Sequence, residues 1–415
     1  MTALLDPAIA VERIRGACTP LASEHVALAA ADGRVLAAAV RSAVDLPPFD
    51  NSMMDGFALG AEAPATAGSI WPIAGEQAAG DAAAVATTGA WEIMTGARVP
   101  DGRDRVIPVE RAERLADPPR VRLLADVAAG TNVRTAGSDV QRGDTVLDHG
   151  TVLAAQHLML LAALGVAAVE VAARPRVAVL CTGRELVGDP AARLESGQIR
   201  DSNGPYLAAR LPHASAEVVH REVVGDDAAA FLAAVGRARA AGAHIVLSTG
   251  AVSMGRYDFV PHALEKLGAT MLFHKLAIRP GKPLLFARLP DGTLFFGLPG
   301  NPIAVAVGLR FFVSVALRAL MRLPTERPLR VRLANAHGKH PDLRMHFKAR
   351  LGIDADGRLQ ALILPGQESY RIAPYARANA WVIARAGISQ LAAGTLVDAY
   401  GLSHLQGPQP AGADA

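Results

Sequence analysis

Apolar and polar positions follow different patterns in successive parts of the chain. Between residues 45 and 142, short β-like runs such as residues 91–94 and 105–109 are separated by Gly, Pro and Asp. This spacing is typical of a small β-rich domain. After Arg174 and Pro175, strand-like and helix-like runs alternate, at residues 177–180, 205–211, 217–224, 227–241 and 244–247. The alternation predicts a parallel sheet with helices on both faces.

The remaining segments complete the predicted organisation. A helical pattern at residues 153–164, ended by Gly165, returns to the N-terminal segment and makes the β-rich domain an insertion. Beyond Pro324 and Pro328, four runs read as strands, at residues 329–333, 345–351, 359–364 and 380–383. We therefore expect a multidomain α/β plus β fold. Its predicted parts are a linker domain at 1–44 and 143–173, the inserted β-rich domain at 45–142, a doubly wound α/β domain at 174–325, a C-terminal β-barrel-like domain at 326–403 and a disordered tail at 404–415.

The composition argues against several classes of protein. A chain of 415 residues with 51% hydrophobic content is globular and needs more than one core. Its 42 basic and 39 acidic residues nearly balance, and no run of like charges indicates a nucleic-acid partner. Two distant cysteines, Cys18 and Cys181, fit a reducing cytoplasm rather than a disulfide framework. We expect a cytoplasmic protein without a signal peptide or a membrane span, because polar residues interrupt the longest apolar stretch, residues 151–173.

A loop rich in small and hydroxyl residues follows the apolar run at 244–247. It contains Ser248, Thr249, Gly250, Ser253 and Gly255. Small residues leave backbone N–H groups free to face an anion, and a second such loop, Thr182-Gly183, follows another predicted strand. Ligands of parallel sheets bind beyond these carboxyl ends of the strands. Asp258, at the end of the first loop, is placed to hold a divalent metal beside bound phosphate.

A basic segment lies shortly after this loop. Lys275, Arg279 and Lys282 occur within eight positions, although the whole chain has only five lysines. Pro280 and Pro283 restrict the backbone around the last of these cations. The segment is a candidate anion site, and a solvated basic turn explains the spacing equally well.

Five carboxylates occupy loop-like settings. They are Asp55, Asp139, Glu185, Asp226 and Asp258. Each could serve in an Asx turn or as a helix cap, and for Asp226, directly before a helical run, capping is the favoured explanation. Spacing alone does not determine whether the five converge on one metal. The histidines show no metal-ligand pairing.

Several separate motifs, in the same order, resemble the molybdopterin molybdenumtransferase family, which includes bacterial MoeA and the C-terminal domain of gephyrin. The resemblance runs from about residue 8 to residue 402. Besides the two segments above, the motifs that carry it are Pro47-Pro48-Phe49-Asp50-Asn51-Ser52 with Met54-Asp55-Gly56, Ile93-Met94-Thr95-Gly96-Ala97, Asn132-Val133-Arg134 with Gly137-Ser138-Asp139, Thr182-Gly183 with Glu185-Leu186, and Asp201-Ser202-Asn203.

The resemblance implies a magnesium-dependent enzyme of molybdenum cofactor biosynthesis. Such an enzyme takes molybdate and adenylylated molybdopterin, inserts molybdenum at the dithiolene and releases AMP. Glu185, Asp226 and Asp258 would hold the metal, and Asp55 and Asp139 would complete an acidic rim. Lys275, Arg279 and Lys282 would bind molybdate and the pterin phosphate, with help from Arg344 and Ser369 in the last domain. The remaining implied substrate-binding residues are Thr182, Gly183, Ser202, Ser248, Thr249, Gly250, Ser253, Gly255 and Pro283.

The resemblance also implies a homodimer that forms through the linker domain, with a site shared between subunits. A molybdopterin adenylyltransferase and acceptor molybdoenzymes, or their chaperones, are the implied protein partners. Three positions depart from the family pattern: Ala251 replaces a second glycine, Arg184 an aspartate and Arg279 a lysine. These departures keep two alternatives open: a related protein that binds or delivers the cofactor without inserting molybdenum, and a metal-dependent nucleotidyl or phosphoryl transferase with another substrate.

Overall fold

The computed structural model describes residues 4–86, 88–252 and 259–410. Contacts divide the chain into two compact units. The first comprises Met1–Glu24, Gly33–Ala37 and Glu170–Ala415, and the second comprises His25–Asp32 and Ala38–Val169. The predicted fold class is confirmed, while the finer domain bounds stay predictions.

The second unit is built on a six-stranded β-sheet. Its strands, in spatial order, are Arg105–Pro108, Gly56–Leu59, Ala90–Ile93, Ile70–Gln77, Arg120–Leu123 and Ala112–Leu115. Phe57, Trp71 and Ile107 fill its core. Short strand pairs (Val40–Arg41 with Thr145–Leu147, and Asn51–Ser52 with Val133–Arg134), the 3-10 turns Leu28–Ala30 and Val109–Arg111, and the helix Ala155–Ala163 complete the unit.

The first unit contains a mostly parallel six-stranded sheet. The order is Glu217–Val224, Arg176–Thr182, Ile245–Thr249, Leu294–Leu298, Leu285–Arg288 and Thr270–His274, and the first four strands are parallel. Residues 177–181 are completely buried, as expected of a central parallel strand covered on both faces. The helices of this unit are Pro7–Ala17, Asn203–Arg210, Ala228–Ala240, Val260–Lys266 and Pro302–Gly308, which continues through a π-helical turn, Leu309–Val313, into Ser314–Leu320.

The long C-terminal helix of this sheet domain is almost entirely apolar. In the described part of the chain, Pro302–Leu320 is the one helix long and apolar enough to cross a membrane. Within the fold, 78% of that apolar window is buried. The helix therefore has the burial of a core helix.

The same unit ends in a closed five-stranded barrel. Its strands are Leu329–Leu333, Arg344–Ile353, Leu359–Ile363, Ala380–Ala384 and Leu396–Gly401. Closure comes from pairing of Arg344–Ile353 with both Leu359–Ile363 and Ala380–Ala384. The last barrel strand was missing from the sequence prediction. The strand Ile278–Arg279 adds to the barrel by parallel pairing with Arg344 and Met345. The short elements Ser23–Ala27, Ala168–Ala172, Leu186–Val187, Ile199–Arg200, Pro212–Ala214, His337–Gly338, Ala373–Ala376 and Gln390–Leu391 complete the described elements.

Two residues of the predicted disordered tail, His404 and Gln409, make specific contacts with the rest of the unit. His404 is only 5% exposed, and its carbonyl accepts a hydrogen bond from Arg318 at 2.6 Å. Asn379 donates to the carbonyl of Gln409 at 2.9 Å. The Gly, Pro and Ala composition concealed these contacts because they are made largely by backbone carbonyls. Residues 411–415 lie outside the described residues.

Burial of His404 predicts a specific dependence of stability on pH. Desolvation lowers the pKa of His404 from 6.5 to about 3. As pH falls below 6.5, the unfolded chain binds a proton at this residue while the folded chain does not, so the free energy of unfolding decreases down to about pH 3. Between pH 6 and 4, His404→Gln should reduce the slope of unfolding free energy against pH by about 1.4 kcal/mol per unit in chemical denaturation. The same change at exposed His149 is the control, and an equal slope in both variants would contradict the assignment.

Candidate functional site

Three neighbouring parallel strands end at one cavity of about 800 Å³. They are Arg176–Thr182, Ile245–Thr249 and Leu294–Leu298, which pair in parallel. The loops after these strands and the segment around Ser202 form the wall. Eight of the residues predicted from the sequence are brought together here: Thr182, Gly183, Glu185, Ser202, Asp226, Thr249, Gly250 and Pro283.

Close backbone contacts hold the three strand ends together. The Thr182 hydroxyl donates to the Thr249 carbonyl at 2.9 Å, and the Gly250 N–H donates to the Leu298 carbonyl at 3.0 Å. Gly250 has φ +89°, and a Cβ there would lie 2.5 Å from the Thr182 carbonyl oxygen. Only glycine fits this position, because both the space and the backbone angle exclude a side chain.

Asn203 links a third loop to this arrangement. Its side-chain amide donates to the Gly300 carbonyl at 2.8 Å. Gly300 is close to Gly250, since a Cβ built on Gly300 would lie 3.8 Å from the Cα atom of Gly250. The role of Asn203 was not predicted, although Asp201-Ser202-Asn203 had carried part of the family resemblance. Its signal was a polar residue at the start of a helix.

Two carboxylates line the cavity. Glu185 folds back over Gly183, where a Cβ would lie 2.8 Å from both carboxylate oxygens. Asp226 accepts the backbone N–H of Arg184 at 3.4 Å. The helix that follows is capped by Asp227, whose carboxylate accepts the Ala230 N–H at 2.7 Å. The favoured explanation of Asp226 as the cap was therefore wrong by one residue, and its carboxylate lines the cavity instead.

Carboxylate oxygens suit a hard divalent cation such as Mg²⁺. Among the described residues, no cluster of three His, Cys, Asp or Glu side chains forms a complete metal site. Glu185 and Asp226 are the two predicted ligands that line the cavity. The third, Asp258, lies outside the described residues, as do Ser253 and Gly255. Mg²⁺ usually retains several water ligands and takes phosphate oxygens as others, and such ligands would complete its coordination here.

Ala251, one of the departures from the family pattern, has a left-handed backbone. Its φ is +51°, which is unfavourable for a residue with a Cβ. It lines the cavity next to Gly250. Glycine, which the family pattern has at this position, adopts such a backbone angle without strain.

A second cavity, of about 730 Å³, adjoins the first through shared wall residues. Pro283, Pro299, Asn301 and Tyr370 line both. The predicted residues Arg279, Lys282 and Ser369 line the second cavity, together with Lys339, His337 and Glu368. Among the described wall residues, the first cavity thus has two carboxylates and one guanidinium, that of Arg200, and the second has three basic side chains against one carboxylate.

His337 and Lys339, which were not predicted from the sequence, line this second cavity and have lowered pKa values. Desolvation lowers the pKa of His337 and that of Lys339. The Lys339 ammonium is held by the carbonyls of His340 and Ile388, at 2.9 and 2.7 Å. Only the scarcity of lysine in the sequence hinted at Lys339.

Three predicted residues of the first unit lie elsewhere. Ser248 is fully buried within its strand. Lys275 is outside the described walls of both cavities, and its backbone has φ +74°, a strained conformation for a non-glycine residue. Arg344 lines a separate cavity of about 450 Å³ with Arg310 and Tyr400. Its placement follows from strand alternation, since Met345, the next residue, faces the barrel core.

Asp55 and Asp139 belong to the other unit. Both side chains are exposed. Asp55 accepts the Thr95 N–H at 2.6 Å and the Thr95 hydroxyl at 2.9 Å, and the backbone hydrogen bond from Thr95 is the main cause of a lowered pKa at this carboxyl. Asp139 is held through its backbone N–H, which donates to the Leu46 carbonyl at 3.0 Å. Asp55 is therefore an ordered surface carboxylate.

Comparison with known proteins identifies relatives over most of the chain. Residues 5–165 match the MoeA N-terminal region (domain I and II), residues 178–319 a probable molybdopterin binding domain, and residues 330–402 the MoeA C-terminal region (domain IV). A molybdopterin molybdenumtransferase from Synechococcus elongatus is 37% identical over 391 residues, covering 92% of this chain and 95% of that protein.

Another curated relative and a solved structure extend the similarity. A molybdopterin molybdenumtransferase from Bacillus subtilis is 32% identical, covering 88% of this chain and 86% of that protein. The crystal structure of a molybdopterin biosynthesis MoeA protein from Pyrococcus horikoshii superposes with a TM-score of 0.79 at 26% identity, covering 96% of this chain and 99% of that one. On this basis the chain belongs to the MoeA family of molybdopterin molybdenumtransferases, enzymes of molybdenum cofactor biosynthesis.

Proposed function

We propose that this protein inserts molybdenum from molybdate into adenylylated molybdopterin in a magnesium-dependent reaction that releases AMP. The observation that carries the proposal is the pairing of two adjoining cavities of different charge. Glu185 and Asp226 outnumber Arg200 in the wall of the first, and Arg279, Lys282 and Lys339 outnumber Glu368 in the wall of the second. Such a pair suits a substrate with a metal-bound phosphoanhydride and a separate tetrahedral oxyanion.

The strand-end cavity would hold the phosphates. Phosphate would lie against the strand-end loops that carry Gly183 and Gly250, beside Glu185 and Asp226. Mg²⁺ held by Glu185 and Asp226 would neutralise charge that develops on the phosphoanhydride as AMP departs. A metal between carboxylates and phosphate also removes the repulsion between two anionic groups.

The second cavity would hold molybdate. The Arg279 guanidinium and the Lys282 ammonium supply positive charge, and Ser369 supplies a hydroxyl. Arg279 is fixed at its backbone by parallel pairing with the barrel strand at Arg344 and Met345. This contact joins the cation to the same barrel that carries Ser369.

We also propose a homodimer that works in the cytoplasm, in which exposed Asp55 and Asp139 contribute to a shared site. Support comes from the ordered, accessible carboxylate of Asp55 and from the match of residues 5–165 to the MoeA N-terminal region. Sedimentation equilibrium of the purified chain tests the dimer, and a monomer at micromolar concentration would overturn it.

A second candidate function is a cofactor carrier that binds molybdopterin without inserting molybdenum. The positive φ of Ala251 favours it, because the cavity wall beside Gly250 then has a residue with a Cβ at a backbone angle that suits glycine. In this case the protein would bind adenylylated molybdopterin tightly and release no AMP.

The function is tested by AMP release from adenylylated molybdopterin, with and without Mg²⁺ and molybdate. Asp226→Asn should lower kcat for AMP release by about 100-fold, because it removes a metal ligand while keeping the size of the side chain. Asp227→Asn is the matched control, since asparagine also caps helices and should leave both activity and stability nearly unchanged. Equal activity in the two variants would contradict the role of Asp226, and AMP release that ignores molybdate would contradict the proposed reaction.

Ala251→Gly separates the two candidate functions. Glycine accepts φ +51° without strain, so the substitution should raise the free energy of unfolding by up to about 1 kcal/mol and lower KM for adenylylated molybdopterin. Ala241→Gly is the control, because Ala241 has φ −71° and gains nothing from glycine. AMP release by Ala251→Gly, with none by wild type or Ala241→Gly, supports the carrier function for the natural chain. AMP release by wild type and by both variants supports the insertase.

A further inference from the structure

A buried lysine stands behind the wall of the second cavity. Lys348 is 0% exposed, although lysine is almost never fully buried in proteins. It lies on the barrel strand Arg344–Ile353, where Phe347 and Ala349 on either side face the barrel core. By strand alternation, Lys348 points to the other face, beneath the loop of residues 364–372.

The Lys348 ammonium is shared among three carbonyl oxygens of this loop. It donates to Gly366 at 2.6 Å, Arg371 at 3.1 Å and Glu368 at 3.3 Å. An ammonium has three N–H donors and no acceptor, so the three carbonyls match it completely. Burial lowers the pKa of Lys348 to about 8, which shows that the surroundings impose a desolvation cost on the charge.

Gln367 reinforces the same loop. Its side-chain oxygen accepts the backbone N–H of Lys348 at 2.9 Å. Its side-chain NH₂ group donates to the backbone carbonyls of Lys348 and Leu364, at 2.9 and 2.7 Å. On the opposite side, the carbonyl of Ser369 accepts the Ile303 N–H at 3.0 Å, close to the start of the helix Pro302–Gly308. The loop is thus fixed to both the barrel and the α/β part of the unit.

This loop carries the two side chains that bring the barrel to the candidate site. Ser369 lines the cationic cavity, and Tyr370 lines both cavities. We propose that Lys348 is a positioning residue for the oxyanion substrate: by holding three carbonyls of the loop, it sets the place of Ser369 opposite Arg279 and Lys282. The proposal rests on the proposed function for the identity of that oxyanion, molybdate.

The experiment compares wild type with Lys348→Met and Gln367→Met. Methionine has a length close to that of lysine and glutamine but donates no hydrogen bond, and it adds no charge to the cavity wall that Gln367 lines. Molybdate affinity is measured by calorimetry with sodium molybdate alone, and KM for molybdate and for adenylylated molybdopterin by AMP release. Both variants should weaken molybdate binding by about 10-fold and raise its KM similarly, with KM for adenylylated molybdopterin changed less than about 2-fold.

A purely structural role predicts a different result. It would lower the melting temperature and active fraction while leaving the molybdate affinity of the folded fraction and both KM values unchanged, and that outcome overturns the proposal. Lys266→Met, at an exposed helix position, is the control and should match wild type. If Lys348→Met fails to fold, Gln367→Met carries the same test.

Amide exchange distinguishes failure of this inference from failure of the proposed function. Exchange of the amides of residues 366–371 should rise in Lys348→Met and remain low in Lys266→Met. Wild type that neither binds molybdate nor releases AMP would refute the proposed function and overturn the oxyanion role, even if exchange rises. Wild type that binds molybdate, with affinity and loop exchange both unchanged in Lys348→Met, refutes the positioning role alone.

Discussion

The alignment of three parallel strand ends is the constraint on which the candidate site depends. Thr182 bonds to the carbonyl of Thr249, and the next residue, Gly250, bonds back to the third strand at Leu298. A Cβ at Gly250 would collide with the Thr182 carbonyl, so the strands reach this spacing only with glycine there. Glu185 enters the cavity from the loop after Thr182, and Asp226 from the loop after the neighbouring strand Glu217–Val224.

A second consequence of this alignment is the separation of charge. Glu185 and Asp226 line one cavity, with Arg200 as the one basic side chain among its described wall residues. Arg279 and Lys282, from the segment that crosses to the barrel, line its neighbour. Opposite charges placed in one cavity would pair with each other and lose much of their value for a ligand. Glu185 and Asp226 are kept apart from Arg279 and Lys282 by the wall residues that the two cavities share, Pro283, Pro299, Asn301 and Tyr370, so both pairs stay available to a ligand.

Sequence patterns predicted the elements better than the contacts. The alternation after Pro175 located the parallel strands, because buried strands and their covering helices have distinct apolar periods. Asp226 shows the limit: an aspartate before a helix reads as a cap, but which of two consecutive aspartates does so depends on one backbone rotation. Arg344 shows a second limit, because the motif gives its position along the strand and the direction of its side chain depends on pairing in the barrel. Lys348 had no local signal, since its acceptors are backbone carbonyls about twenty positions away.

The tandem aspartates make the length of one loop a fixed quantity. Asp226 lines the cavity and Asp227 caps the helix Ala228–Ala240, so a single residue separates the two tasks. A helix turns by 100° per residue, and one inserted or deleted position before this pair would rotate the helix or exchange the two carboxylates. Natural variation is therefore expected to change the amino-acid composition of the connection between the strand Glu217–Val224 and this helix more freely than its length. The length is constrained because Asp226 and Asp227 have different roles and cannot exchange positions.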